Sequence, residues 1–276
     1  FRPAFLTRTG GRGDQSSAAS AGIFDPAPRL RVPCAVLAIF PRSAFGPALG
    51  SIAVVAAAAL ALGGLTAPAQ AEEQVVNAPA PTRIAKEGIG LKTAIFAGGC
   101  FWGVEGVFSH VKGVKSAVSG FHGGSSGTAQ YRTIITGTTN HAEAVKITYD
   151  PYVVRYDELL RIFFSVVTAP TQLNRQGPDV GAHYRSALVP LNGEQRAVAK
   201  AYLKQLDASG LWDRPVVTRI EKHRAFYAAE DYHQDYMVHN PGSGYIMRYD
   251  QPKVAALKSM FPRDYREDFL RDGPKG

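Results

Sequence analysis

Cys100 stands in the run Ala97-Gly98-Gly99-Cys100-Phe101-Trp102-Gly103, between a glycine pair and two large aromatic rings. The stretch Thr93 to Ala97 before it predicts a buried strand, and Val104, Val107 and Phe108 after it recur at helical spacing. The cysteine therefore falls at a helix N-terminus. There, unpaired backbone N–H groups and the positive end of the helix dipole favour the thiolate, the nucleophilic form of sulfur. Phe101 and Trp102 would wall a small apolar pocket beside it. The alternative is an inert buried cysteine, although burial alone does not ask for flanking glycines and a Phe-Trp pair.

Three polar clusters offer partners for such a sulfur. In His141-Ala142-Glu143, the glutamate opens a predicted strand. It is either a buried acid, kept protonated near neutrality and able to donate a proton, or a solvated edge carboxylate. Asp179-Val180-Gly181-Ala182-His183-Tyr184-Arg185-Ser186 closes a loop and opens a strand, and loops present side chains freely. Tyr184 is either a rigid hydroxyl donor that Asp179 orients, directly or through water, or a packing residue. Tyr131, in Gln130-Tyr131-Arg132 of a glycine-rich stretch, carries the same two readings. Metal chemistry is not supported: His141-Ala142-Glu143 resembles a deaminase H-x-E but lacks the accompanying Cys-x-x-Cys pair, and no His spacing suits zinc. Gly120 to Gly127 matches neither phosphate-binding glycine fingerprint.

The elements that must position these groups read as strand-helix-strand, strand-helix-strand. After the Cys100 helix come a strand at Val114 to Ser119, a long irregular connection from Gly120 to Asn140 and a strand at Glu143 to Tyr149. A helix from Tyr156 to Val167 carries Leu159, Leu160, Phe163, Phe164 and Val167 on one face. A second loop, Thr168 to His183, leads to a strand at Tyr184 to Pro190, a helix from about Glu194 to Ala208 and a strand at Val216 to Ile220. From Phe226 the chain loses periodicity until Pro252, which suits the first turn of a short helix ending at Met260. The expectation is an α+β fold, helices on a mixed sheet, with a long irregular C-terminal wrapping segment.

The first 71 residues differ in kind: six Arg and no Lys, then an apolar core from Ile52 to Leu65 ending in Ala69-Gln70-Ala71. That pattern predicts a signal peptide cleaved after Ala71, hence an exported, periplasmic protein that meets the membrane only transiently. With no methionine before Met237, the translation start is left open. Residues 72–92, rich in Ala and Pro, read as a linker, and 93–276 as one catalytic domain. The leader holds six Arg against two Asp, half of the net charge of +8. The +4 left on the domain is too small and scattered to argue for nucleic acid. Cys34 precedes the apolar core and would leave with the leader, so the mature chain is expected to keep one thiol and no internal disulfide.

Taken together, these segments resemble the peptide methionine sulfoxide reductases of type A, which reduce the S epimer of methionine sulfoxide. Gly99-Cys100-Phe101-Trp102-Gly103 looks like their signature, and the likeness continues through Tyr131-Arg132, His141-Ala142-Glu143-Ala144-Val145, Tyr149-Asp150-Pro151, Asp179-Val180-Gly181, Tyr184-Arg185-Ser186 and Ala229-Glu230-Asp231-Tyr232-His233-Gln234. It spans roughly Thr93 to Pro241. The resemblance implies a ferredoxin-like two-layer sandwich. It implies Cys100 as the nucleophile, Phe101 and Trp102 as the housing of the substrate methyl group, Glu143, Tyr131 and Tyr184 as hydrogen-bonding groups at the sulfoxide oxygen, and Asp179 as a supporting carboxylate. The products it implies are methionine and a Cys100 sulfenic acid, a reversible rung of thiol oxidation.

Two departures from the family pattern are local: Phe121 where many relatives have Tyr, and His183 where Gln is commoner. A third is that Pro241 to Gly276 holds no cysteine, whereas many relatives carry resolving cysteines in that region. The expectation is a one-cysteine cycle with no bound cofactor, closed by an external thiol, either a thioredoxin-like protein or a small thiol. The partners are then oxidised proteins or peptides containing methionine sulfoxide, and the enzyme is expected to be a monomer. Two rival readings are a cysteine hydrolase with His141 or His233 as its base, and a non-catalytic module binding methionine-rich peptides through Phe101 and Trp102.

Overall fold

Side chains along a strand point alternately to its two faces, and this alternation organises the sheet. The computed structural model describes residues 75–271, so the leader, its cleavage site and Cys34 lie outside the described residues. The elements run β1 (Lys92–Gly98), α1 (Phe101–Ser109), β2 (Val114–His122), α2 (Tyr131–Ile134), β3 (Ala142–Tyr149), α3 (Tyr156–Ile162), β4 (Arg175–Gln176) and β5 (Asp179–Val180). They continue with β6 (Ser186–Leu188), α4 (Gly193–Asp207), β7 (Arg219–Ile220), β8 (Phe226–Ala228), α5 (Tyr236–His239) and α6 (Gln251–Met260). One sheet has the order β7-β6-β1-β3-β2-β8; β4 and β5 form a separate hairpin. Within the large sheet only the β6 and β7 pairing is parallel, which makes it mixed.

On one face, Ala94, Phe96, Val145 and Ile147 join the main core with Phe101, Val104 and Phe108 of α1 and Leu159 and Phe163 beyond. On the other face, Ile95, Ala97, Ala142, Ala144 and Ala187 form a smaller cluster. The alternation along β3 thus directs Glu143, between Ala142 and Ala144, to the helix-covered face. Its pairing partner across the ladder is Phe121 of β2.

Several expectations are corrected. Gly120 to His122 are not loop but the end of β2, and the connection to Asn140 contains α2. Tyr184 does not open β6; it ends a 3₁₀ turn, Ala182–Tyr184. The α-helix ends at Ile162 and continues as a π turn, Phe163–Val167. The wider turn serves two burial directions: Phe163 packs on Phe96 at 5.2 Å, Phe164 on Tyr202 at 5.9 Å. The C-terminal segment is not all wrapping, since Phe226–Ala228 pairs with Gly120–His122.

The largest correction concerns the expected linker, because Val75 to Leu91 has no regular structure yet is docked on the domain. Ala78 and Ala85 are buried. Backbone N–H groups of Val76 and Ala78 donate to Ser165 at 3.0 and 3.1 Å, and that of Ala85 to Asp157 at 2.9 Å. The Tyr202 hydroxyl donates to the Pro79 carbonyl, and Glu87 accepts from the Tyr149 hydroxyl and the Tyr156 N–H. A segment without periodicity holds its place by satisfying polar groups of the domain beneath it.

Candidate active site

Gly99 sets the turn from β1 into α1. Its φ of +100° lies where side chains are strained, and a Cβ there would meet the side chain of Gln176 at 2.7 Å. Gln176, fully buried, is held by Thr168 and by both backbone groups of Ala169. The turn leaves Cys100 as the N-cap of α1. Two orphan amides of the first turn are used at once: Phe101 N–H donates to Glu143 Oε2 at 3.0 Å, and the Trp102 N–H faces the Cys100 sulfur.

The expectation of an ionised, open thiol is corrected. Cys100 is only 8 % exposed. Burial pushes the thiol well above its usual range, Glu143, Asp250 and Asp179 push further, and the Trp102 amide pulls the other way without prevailing. Desolvation and three carboxylates outweigh the helix terminus. Glu143, 1 % exposed, is itself pushed up to about 8 by burial, against the Phe101 N–H and with help from Asp179 and Asp250. At neutral pH the carboxyl is an acid by roughly ten to one. Of the two sequence readings of Glu143, its burial excludes the solvated edge carboxylate and supports the buried acid.

Around this pair the rings are closely arranged. Phe101 stacks on Tyr131 at 6.4 Å and packs on Phe121 at 5.7 Å, so Phe121 fills space without needing a hydroxyl. Trp102 lies flat on Tyr236 at 3.7 Å and edge-on to Tyr245 at 5.9 Å. Tyr131 and Tyr184 are half-buried, and neither hydroxyl has a hydrogen-bond partner among the described residues. Burial and the nearby Glu143 raise both phenols, Tyr131 to about 12, so both remain neutral donors. The chain therefore brings Cys100, Phe101, Trp102, Tyr131, Glu143, Asp179 and Tyr184 to one place.

Asp179 is there for a different reason than its spacing suggested. Its carboxylate accepts from the Tyr245 hydroxyl, not from Tyr184. Burial raises Asp179, while Tyr245 and Lys253 oppose that rise. Further side chains come from the aperiodic C-terminal third, where the resemblance names the segment holding Glu230 and His233 but gives them no such role. Tyr245 donates to Asp179 and meets Trp102 edge-on, and Glu230 accepts the Tyr131 N–H at 3.0 Å. His233 accepts the Trp102 indole N–H at 3.1 Å. Asp250 reaches α1 because Gly103 has no side chain: a Cβ there would lie 2.1 Å from its Oδ1. The one local signal was the pair of glycines Gly103 and Gly106 on a buried helix, which announces close approach but not by what.

His141, a rival base, is committed elsewhere: its Nε2 lies 3.0 Å from the Ser125 carbonyl and its Nδ1 accepts from Gly124. His183 packs on Tyr184 at 4.2 Å. Neither histidine, nor His233, hydrogen-bonds Cys100 among the described residues, which removes the geometry a cysteine hydrolase needs.

The sequence profile of the peptide methionine sulfoxide reductase family matches residues 92–265. The peptide methionine sulfoxide reductase MsrA 2 of Mesorhizobium japonicum is 55% identical over 178 residues, 64% of this chain and 91% of that protein. The MsrA of Deinococcus radiodurans is 48% identical over 184 residues, 67% of this chain and 86% of that one. Among solved structures, the reduced form of Mxr1 from Saccharomyces cerevisiae superimposes with a TM-score of 0.51 at 30% identity, covering 59% of this chain and 93% of that one.

Proposed function

The chain belongs to the peptide methionine sulfoxide reductase family, and from that premise we propose how its own side chains carry out the work. It is an oxidoreductase that uses thiols to reduce methionine S-sulfoxide to methionine in oxidised proteins. Phe101 and Trp102 receive the methyl group, which leaves the sulfoxide oxygen to Glu143, Tyr131 and Tyr184. The oxygen takes a proton from Glu143 and hydrogen bonds from the two phenols, so charge is met where it develops. That polarisation makes the substrate sulfur electrophilic, and Cys100 attacks it while the thiol proton replaces the one Glu143 gave. The substrate S–O bond breaks and an S–O bond forms on Cys100, giving methionine and a sulfenic acid. Asp179 holds Tyr245 over the site as a supporting group.

The observation that carries this reading is a buried Glu143 bonded to the amide next to the buried Cys100 thiol, where burial pushes both groups up and so favours both protonated forms at rest. The pair stores both protons the reaction moves, so no charge is buried before substrate arrives. An external thiol then attacks the sulfenic acid, releasing water and forming a mixed disulfide, and a second thiol restores Cys100. The reductant is proposed to be a thioredoxin-like protein or a small thiol, because Cys100 is the only cysteine among the described residues. No cofactor enters these steps, and the enzyme is proposed to work as a monomer. The segment β1-α1-β2-β3-α3-β6, with spatial order β6-β1-β3-β2, supports a ferredoxin-like reading of the sheet and its helices. Export to the periplasm rests on the leader's sequence alone, and N-terminal sequencing of protein from a periplasmic extract tests cleavage after Ala71.

The deciding experiment offers the two sulfoxide epimers separately with dithiothreitol. Turnover of S and not R is expected, and a dimedone-type reagent should label Cys100 after substrate but before reductant. Turnover of R, or an intrachain disulfide in place of the label, would contradict the proposal.

A further inference from the structure

The run Arg219-Ile220-Glu221-Lys222-His223-Arg224 has no part in the chemistry at Cys100, yet the fold gathers its charges in one place. Arg219, Lys222 and Arg224 are exposed and line a cleft of about 360 Å³ together with His122, Arg185 and Glu221. Inside the cleft the charges are matched. Glu221 accepts from the Arg185 guanidinium at 2.7 and 3.2 Å and lies 3.6 Å from His122 Nδ1. His122 Nε2 accepts the Arg224 N–H at 3.0 Å, which ties the exposed run to the end of β2. At the surface the charges are not matched. The side chains of Lys222 and Arg224 meet no carboxylate among the described residues, and that of Arg219 reaches the Asn174 amide oxygen at 3.4 Å.

Three chain segments join this cleft to the reactive site. Phe121 packs on Phe101, and the next residue, His122, turns to the cleft. Tyr184 stands with Glu143 and Cys100, and the next residue, Arg185, turns to the cleft. Asn140, three positions before Glu143, lines it too. The ends of β1 and β2 and the starts of β3 and β6 meet here. His122 pairs with Ala142, whose side chain belongs to the cluster on the face away from α1. The cleft therefore shares the sheet end that carries Cys100 and lies on the other face, as side-chain alternation requires. Crossing such a rim takes roughly 10 Å, the depth of one packed layer, which an extended chain covers in about three residues.

We propose that this basic cleft is a specificity site for polypeptide substrates, taking Asp or Glu side chains about three to five residues away from the methionine sulfoxide held at Cys100. The inference rests on the reductase reading of that site. Cations spread over positions 219 to 224 on long flexible stems suit several carboxylates of an extended partner better than one compact anion, which calls for converging donors. Glu221 is spent on Arg185 and His122, so it neutralises the floor of the cleft and leaves the three cations at its lip for the substrate. Exposed ion pairs are individually weak and screened by salt. They act on encounter and on KM, and leave the step at sulfur alone.

The test compares three peptides that share a central methionine S-sulfoxide and carry Glu, Gln or Lys at the positions three to five residues to both sides, with dithiothreitol as reductant. At low ionic strength kcat/KM for the Glu peptide should exceed that for the Gln peptide by about 3- to 30-fold, the sum of a few exposed ion pairs, with Lys lowest. The difference should lie in KM and collapse at about 0.5 M salt. In Lys222→Glu/Arg224→Glu the order should reverse, while N-acetyl-methionine S-sulfoxide, too short to reach the cleft, is turned over at the wild-type rate. If that variant does not fold, Lys222→Gln/Arg224→Gln should abolish the preference without reversing it. Equal kcat/KM for the three peptides in the wild type, or an order that the charge variants leave intact, overturns the inference. The short substrate reports separately on the reductase reading: failure of the wild type to reduce it would sink that reading, whereas an indifferent peptide series beside normal turnover of the short substrate removes only the role of the cleft.

Discussion

Glu143 and Glu221 are both drawn largely out of water at strand ends of one sheet, yet they sit at opposite ends of the carboxylate range. Glu143 faces Asp179, Asp250 and the Cys100 thiol, has one backbone amide for support, and is pushed up to about 8. Glu221 also loses solvent, which alone would raise it, but His122 and Arg185 reverse the sign and hold it at about 2. Arg185 donates to both its oxygens, at 2.7 and 3.2 Å. Burial sets how costly a charge is, and the neighbours decide whether the charge exists. One glutamate is thereby kept as a proton donor, the other as a structural anion.

Removal of Cys100 tests the reactive region most severely. Cys100→Ser should lower methionine formation from the S-sulfoxide to the uncatalysed level while leaving the fold intact, as judged by thermal melting, because the site is built around the sulfur and not upon it. Glu143→Gln comes next, with kcat/KM down by about 100- to 10,000-fold, the contribution of a positioned general acid. The pH profile separates this from a packing defect. Wild-type activity should fall as pH rises through about 8, where Glu143 loses its proton, and the glutamine variant should lack that limb. A variant that kept the limb would assign it to another group. Tyr131→Phe and Tyr184→Phe should each cost about tenfold, one neutral hydrogen bond strengthened in a dry site, with kcat affected more than KM.

The same contrast explains what was legible in the chain and what was not. Cys100, its ring neighbours and Glu143 could be found because strand alternation and a helix start are local properties. The protonation of Cys100 is not legible locally, because the helix terminus favours the thiolate, while Asp179 and Asp250, which oppose it, arrive from 79 and 150 positions away. Asp179 is legible as a site carboxylate, but its direct partner is Tyr245, since proximity in sequence to Tyr184 says nothing of side-chain direction across a 3₁₀ turn. His233, Tyr245 and Glu230 lie in a region of three- to five-residue elements with no period to read. The docked strap, Val75 to Leu91, escaped for the same reason: its order comes from single hydrogen bonds to distant residues.

The smallest effect on activity is expected at the second glutamate, and it is the sharpest check on the comparison. Glu221→Gln leaves Arg185 with its bonds to the carbonyls of Asn140, His141 and Ala182, so the approach to β3 should hold and turnover should drop only a few-fold. Stability at neutral pH should fall by about 1.5–3 kcal/mol, the value of hydrogen bonds to a charged group. Because Glu221 is held below its unfolded value, its contribution is present above about pH 4.5 and is lost as pH falls toward about 2. Glu143, held above its unfolded value, does the reverse: the folded state loses ground as pH climbs from about 4.5 to about 8. Urea midpoints across pH should therefore show an acid slope that Glu221→Gln flattens and a second slope, between about pH 4.5 and about 8, that Glu143→Gln flattens. If either substitution flattened the other's slope, the two carboxyls would be members of one coupled network and their division into donor and anchor would be wrong.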